Sequence, residues 1–162
     1  MAGYCIEILK KSSKTLCAAE SCTGGLIADS FISVSGASEV FKGSCIAYQI
    51  PVKIGLLGVD EKIISEYGVV SAQTATAMAK RAIEEFGADF ALSSTGYADK
   101  SDRADIPDGT IYIALASAGG FELTKRLSLS GSRNSNRRAA ARAAVKTLFE
   151  YLKKSLDGGT VH

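Results

Sequence analysis

The segment 15–25, TLCAAESCTGG, commits the chain to a strand, a turn and a helix in direct succession. A short apolar run leads into Glu20-Ser21-Cys22-Thr23. Gly24 and Gly25 then open a stretch whose apolar residues Leu26, Ile27 and Phe31 recur at helical spacing. A strand-to-helix turn built from small residues bares backbone N–H groups and aims a helix N-terminus at whatever lies there. That environment suits an anion, or a carbonyl oxygen becoming one. The Ser21 hydroxyl and the Cys22 thiol are both candidate nucleophiles in such a field. The plainer alternative is a turn that only caps its helix.

The available bases narrow the chemistry. The one histidine is His162, the last residue, and chain ends are held loosely. No histidine is therefore expected to act as the general base. A lysine whose pKa is lowered by burial is the natural substitute, with a tyrosine to relay or donate the proton. The shortage of histidine also weighs against zinc chemistry. Cys5, Cys17, Cys22 and Cys45 form no CxxC pair and no zinc-ligand spacing. Reduced thiols in a cytoplasmic protein are the simplest reading, with no metal and no cofactor. There is no apolar run of about 18 residues to span a membrane and no basic start followed by an apolar core to act as a secretory signal.

Periodicity and turn signals extend the first segment into a whole architecture. Helices are expected over 3–12 (Ile6, Leu9 and Tyr4 inward), 24–34, 51–57, 61–67, 71–86 and 133–154; strands over 15–20, 40–47, 88–95, 110–116 and 121–129. Ser71 is placed to cap the fifth helix and Gly87 to end it. Ala118-Gly119-Gly120 signals a hairpin. The resulting fold class is α/β: a three-layer α/β/α sandwich around a mixed, mostly parallel sheet of about five strands. At 162 residues and 46% hydrophobic, the chain is expected to form one domain, residues 1–162 with a core at about 15–154.

Ligands in open α/β sheets bind beyond the C-terminal ends of the strands. Ser21 follows the first strand there, Tyr48 the second, and Thr95-Gly96 the third, with Lys53 on the short helix after Tyr48. Overall charge is nearly balanced, 19 Lys+Arg against 17 Asp+Glu, so nucleic acid is not an expected partner. Residues 125–154 nonetheless carry nine basic residues and one acid, Glu150. Arg138, Arg142 and Lys146 at i, i+4 spacing read as a solvated helix face. Arg133 and Arg137, at the helix start, are candidates for phosphate. Asp99, Asp102, Asp105 and Asp108 lack the calcium-loop pattern and read as a solvated loop.

In this setting Ala19–Gly25, AESCTGG, resembles the signature of the CinA C-terminal domain family, which includes nicotinamide-nucleotide amidases. Further matches follow in order. Phe41-Lys42-Gly43, Ala47-Tyr48, Lys53 and Leu57-Gly58-Val59 are similar to the family's F-x-G, Y-S-N-x-x-K and L-G-V elements. Tyr67-Gly68-Val69-Val70-Ser71 resembles its h-G-A-V-S turn. Thr95-Gly96 and Gly109-Thr110 resemble the ends of its glycine-rich loop, and Ser130-Gly131-Ser132-Arg133 with Arg137 its S-G-D-R-x-x-x-R segment. The longer members' nucleotide-processing N-terminal domain has no counterpart, so a stand-alone form is expected.

The resemblance implies a metal-independent hydrolase that converts nicotinamide mononucleotide to nicotinic acid mononucleotide and ammonia. Ser21 would be the nucleophile, Lys53 its base and Tyr48 the assisting group. The substrate would be held by Cys22, Thr23, Gly24 and Gly25 at the turn, Thr95, Gly96, Gly109 and Thr110 at the loop, and the phosphate anchors Arg133 and Arg137. Backbone N–H groups near Cys22–Gly25 would hold the oxyanion, and the protein would be a homodimer. The chain departs from the pattern at three places. Gln49-Ile50 replaces Ser-Asn after Tyr48. The G-I-A-G-P-x-G-G loop becomes Gly96-Tyr97-Ala98-Asp99-Lys100, without its inner glycines and with added acids. Ser132 replaces an aspartate. Action on another small amide, or nucleotide binding without turnover, are the alternatives those departures open.

Overall fold

The structure is a computed structural model that describes residues 1–156. His162 lies outside the described residues. Strands and helices alternate: α1 (Ala2–Lys11), β1 (Leu16–Glu20), α2 (Leu26–Ile32), β2 (Phe41–Ile46), α3 (Ile50–Gly55), α4 (Glu61–Tyr67), α5 (Ala72–Phe86), β3 (Phe90–Gly96), the hairpin β4 (Thr110–Ser117) and β5 (Glu122–Ser128), and α6 (Arg133–Leu156). The sheet order is β2-β1-β3-β4-β5. β1 pairs in parallel with β2 and β3, and β4 pairs antiparallel with β3 and β5. The sheet is mixed, and β4 alone runs against the other strands.

Side-chain alternation along the strands builds two unlike layers. Leu16, Ala18, Phe90, Leu92, Ile111, Ile113 and Leu115 face α1, α2 and α6. Cys17, Ala19, Ala91, Ala114 and Ala116 face the Ala75, Met78, Ala79 and Ala82 stripe of α5. Large residues fill the first layer, whereas small ones on both sides of the second let α5 lie close to the sheet. Ser71 Oγ accepts from Thr74 N at the start of α5, and Gly87 ends it in the left-handed conformation.

Two local expectations change. Tyr4 is not a core residue: it is 37% exposed, and its ring packs edge-on against Phe149. α2 starts at Leu26 rather than Gly24 because Gly24 and Gly25 have φ of 57° and 96°, outside the right-handed helical region. The α6 stripe Arg138, Arg142 and Lys146 is exposed, as a solvated face requires.

Candidate active site

The parallel strands β2, β1 and β3 end side by side, so the residues just past them meet. Ala47 N donates to Glu20 O at 2.8 Å, and Ser21 N donates to Ser94 O at 3.0 Å. These bonds extend the ladders past the strand ends and hold the Ser21 turn between its neighbours.

The helix N-terminus beyond that turn is already occupied by the chain's own Glu20. This fully buried carboxylate accepts from Gly25 N (2.9 Å), Ile27 N (3.0 Å), Ala28 N (2.9 Å), Thr23 Oγ1 (2.7 Å) and Ser44 Oγ (3.0 Å). A carboxylate satisfies the orphan donors of a helix start and suits its dipole. The expectation that donors throughout Cys22–Gly25 face an oxyanion is therefore corrected: the Gly25 N–H belongs to Glu20. Gly24 N donates to Ser21 O. Among the described residues, the N–H groups of Cys22 and Thr23 donate to no protein acceptor. Thr23 is also not at the cavity, since its hydroxyl is shared between Glu20 and Ser94 Oγ (2.7 Å).

Lys53 comes from α3, where Pro51 stands in the first turn, a position that needs no N–H donor. Its side chain is fully buried. Nζ lies 2.9 Å from Ser21 Oγ, 2.6 Å from Ala47 O and 3.2 Å from Tyr48 O. Burial lowers its pKa from 10.5 to about 8, against the opposing influence of Cys22 and Cys45. A neutral amine has two N–H donors and one lone pair. The two carbonyls take the donors, and the lone pair is left for the Ser21 hydroxyl. At pH 7 about a tenth of such a group is neutral. Burial pushes the Cys22 thiol the other way, up to about 11. At neutral pH that thiol stays protonated, which disfavours it as nucleophile.

Ser21, Cys22, Tyr48, Lys53, Thr95, Gly96 and Arg133 line one cavity of about 230 Å³, together with Val69, Val70, Tyr97, Ala98, Asp99 and Lys100. Thr95 Oγ1 donates to Val69 O at 2.8 Å and fixes the apolar wall. At the mouth, Arg133 Nη2 donates to Tyr48 OH (2.9 Å) and Nη1 to Asp99 Oδ1 (2.6 Å). A larger depression of about 520 Å³ lies on the far side of α5, lined by residues such as Asp60, Gln73, Lys80, Arg81 and Glu122. It holds none of the Ser21 and Lys53 chemistry, and Lys80 and Arg81 are ion-paired with acids there.

Six expected binding residues are not brought to the cavity wall. Besides Thr23, Gly24 and Gly25 belong to the backbone turn. Gly109 is packed so closely on the Leu129 carbonyl that no side chain fits. Thr110 is buried in β4. Arg137 turns its guanidinium onto the Cys22 and Thr23 carbonyls, at 2.9 and 3.1 Å; it staples the Ser21 turn and does not line the cavity. Glu20 and Asn136 shape the site without being singled out by the sequence pattern. Asn136, buried, bonds Ala98 O (2.7 Å) and both backbone groups of Gly131, joining the loop to α6. An acid just before a small-residue helix start was the available signal for Glu20; nothing local marks Asn136.

Fold and site together define an α/β/α sandwich with a buried serine–lysine pair at the C-terminal edge of its parallel strands. The chain belongs to the CinA family: the CinA C-terminal domain matches residues 1–152. It is 39% identical over 149 residues to a CinA-like protein of Cytophaga hutchinsonii, covering 91% of this chain and 35% of that one. To a CinA-like protein of Dictyoglomus thermophilum it is 43% identical over 130 residues, covering 80% of this chain and 31% of the relative. The chain thus spans about a third of the length of the curated relatives it matches. Among solved structures, the competence/damage inducible protein CihA of Agrobacterium tumefaciens superposes with a TM-score of 0.88 at 31% identity, over 94% of this chain and 93% of the other. A CinA superfamily protein of Escherichia coli gives 0.85 at 27% identity, over 90% and 84%. Among the described residues no helix is long and apolar enough to cross a membrane.

Proposed function

We propose that this protein is a metal-independent amidohydrolase that converts nicotinamide mononucleotide to nicotinic acid mononucleotide and ammonia. The observation that carries the reading is the buried Lys53 amine, 2.9 Å from Ser21 Oγ, with two carbonyls taking its other bonds. Ser21 Oγ attacks the carboxamide carbon as its proton passes to Lys53 Nζ. The oxyanion is met by the N–H group of Cys22, a cavity-lining residue whose donor is used by no protein acceptor among the described residues. The C–N bond breaks, and Lys53 returns the proton to the departing nitrogen, which leaves as ammonia. Water then attacks the acyl group, giving a proton to Lys53; the acyl–Oγ bond breaks, Lys53 returns that proton to Ser21 Oγ, and the acid product leaves as its carboxylate, its own proton going to solvent. Val69 and Val70 offer an apolar wall to a flat ring.

The cavity is smaller than the roughly 300–1,000 Å³ of most small-ligand sites. Only part of a nucleotide fits inside it, with the phosphate out at the mouth beside Tyr48 and Arg133. Tyr48 contributes twice: its carbonyl orients Lys53, and its hydroxyl, which accepts from Arg133, keeps its own proton for the substrate. The family likeness adds a homodimer and a cytoplasmic setting to the proposal.

The test is incubation with nicotinamide mononucleotide, assaying ammonia and nicotinic acid mononucleotide, with Ser21→Ala alongside. Product that vanishes in the variant supports the reading. A folded wild-type protein that releases neither product overturns it. The acid at position 99, set on Arg133, keeps a second reading in play: the same machinery acting on a small amide without phosphate. Ammonia release from such amides, and none from the mononucleotide, would favour it.

A further inference from the structure

The mouth of the cavity presents a cation that is already in use. Arg133 spends one arm of its guanidinium on Asp99 and the other on Tyr48. Arg133 opens α6, while Asp99 belongs to the loop between β3 and β4. Both side chains are about half exposed, at 47% and 46%. An ion pair in that setting is weak enough for a ligand anion to displace.

We propose that Asp99 is a specificity-determining residue, which occupies Arg133 and so disfavours ligands with a phosphate monoester relative to the same ligands without it. Two effects act together. The phosphate must displace the Asp99 carboxylate from the guanidinium fork it needs for itself. The displaced carboxylate then remains beside a dianion, and like charges at a binding site cost affinity. A neutral ligand meets neither effect. Lys100, on the same wall, offsets part of the repulsion, so the outcome is graded discrimination rather than exclusion. The inference rests on the Ser21 cavity being the ligand site, as proposed above.

The experiment measures equilibrium binding of nicotinamide mononucleotide and its nucleoside to the full chain, as wild type, Asp99→Asn and Asp99→Glu. Asp99→Asn is expected to tighten the mononucleotide about fivefold, the scale of an exposed ion pair, and to leave the nucleoside unchanged. Asp99→Glu, which keeps the charge, should behave as wild type, and adding Arg133→Ala to Asp99→Asn should erase the gain. Equal melting temperatures exclude a folding effect. A parallel titration with inorganic phosphate, followed by the Arg133 Nε–H resonance, should show the same tightening without any pyridine ring. Should neither pyridine compound bind while phosphate still binds Asp99→Asn more tightly, the nucleotide reading falls and the role of Asp99 stands. An unchanged preference between nucleotide and nucleoside overturns the proposal. So does phosphate that binds Asp99→Asn no better than wild type, or not at all.

Discussion

The floor of the cavity and its mouth are built on opposite terms. At and beneath the floor, Ser21, Lys53 and Glu20 are buried: Lys53 Nζ bonds Ser21 Oγ and the Ala47 and Tyr48 carbonyls, and the Glu20 carboxylate accepts from the start of α2 and from Ser44 on β2. At the mouth, Tyr48, Asp99 and Arg133 are half exposed and hold one another from a loop, a strand end and a helix start. Desolvation strengthens electrostatics on the floor and shifts pKa values there. Solvent weakens each bond at the mouth. On the proposed reading, the chemistry is preorganised by buried groups, while recognition rests on exposed groups that change at little cost to the fold.

The comparison breaks first at Ser21, the proposed nucleophile. Ser21→Ala is expected to lower turnover by at least about a thousandfold while leaving the melting temperature in place. Full activity in that variant would remove Ser21 from the mechanism. Lys53→Met should lower the rate roughly a hundred- to thousandfold. Its thermal stability at pH 7 should stay or rise, because a buried charge is replaced by an apolar chain of similar length. A variant that is both inactive and strongly destabilised would make Lys53 a structural group instead.

Glu20→Ala sharpens the contrast from the stability side. It strands buried donors at the start of α2, with an expected loss of about 3 kcal/mol in chemical denaturation. A loss below about 1 kcal/mol, the scale of an exposed pair, would place Glu20 with the mouth. Arg133→Ala, at the mouth, should raise the KM for the mononucleotide roughly tenfold with little change in kcat or melting temperature. An equal rise for the nucleoside would show that Arg133 does not read phosphate.

Acidity supplies the smallest effect. With Lys53 at about 8 when folded and 10.5 when free, the unfolded chain binds more protons between those values. Stability from this group therefore rises with pH across that window and is lowest below it. The kcat/KM profile should climb with an apparent pKa near 8 in the wild type. The low-pH loss of stability should be absent in Lys53→Met, and its persistence would assign it to another group.

Much of the fold can be read along the chain because its causes are local. Helical spacing marks α5, Ser71 and Gly87 mark its ends, and alternation marks β4 and β5. The strand–turn–helix of residues 15–25 likewise places Ser21 at a sheet edge. What the chain does not reveal locally has distant causes. Arg133 and Arg137 look equivalent in sequence, four residues apart on one helix. In the fold, Arg137 meets the carbonyls of Cys22 and Thr23, more than a hundred positions away, and Arg133 meets Asp99. The glycines at the turn suggest open N–H groups, but Gly25 N donates to the Glu20 carboxylate and Gly24 N to Ser21 O.

The amino-acid sequence by itself settles the alternation of strands and helices, the layered α/β class, and the placing of Ser21 and Tyr48 after successive strands, with Lys53 on the short helix that follows. Each of these follows from the periodicity and turn preferences of neighbouring residues. Only the tertiary structure decides that Lys53 is buried against Ser21, that Glu20 takes the helix start, and that Asp99 takes Arg133. Solvation and hydrogen-bond partners depend on which atoms pack together in three dimensions, and those atoms come from segments that sequence separates.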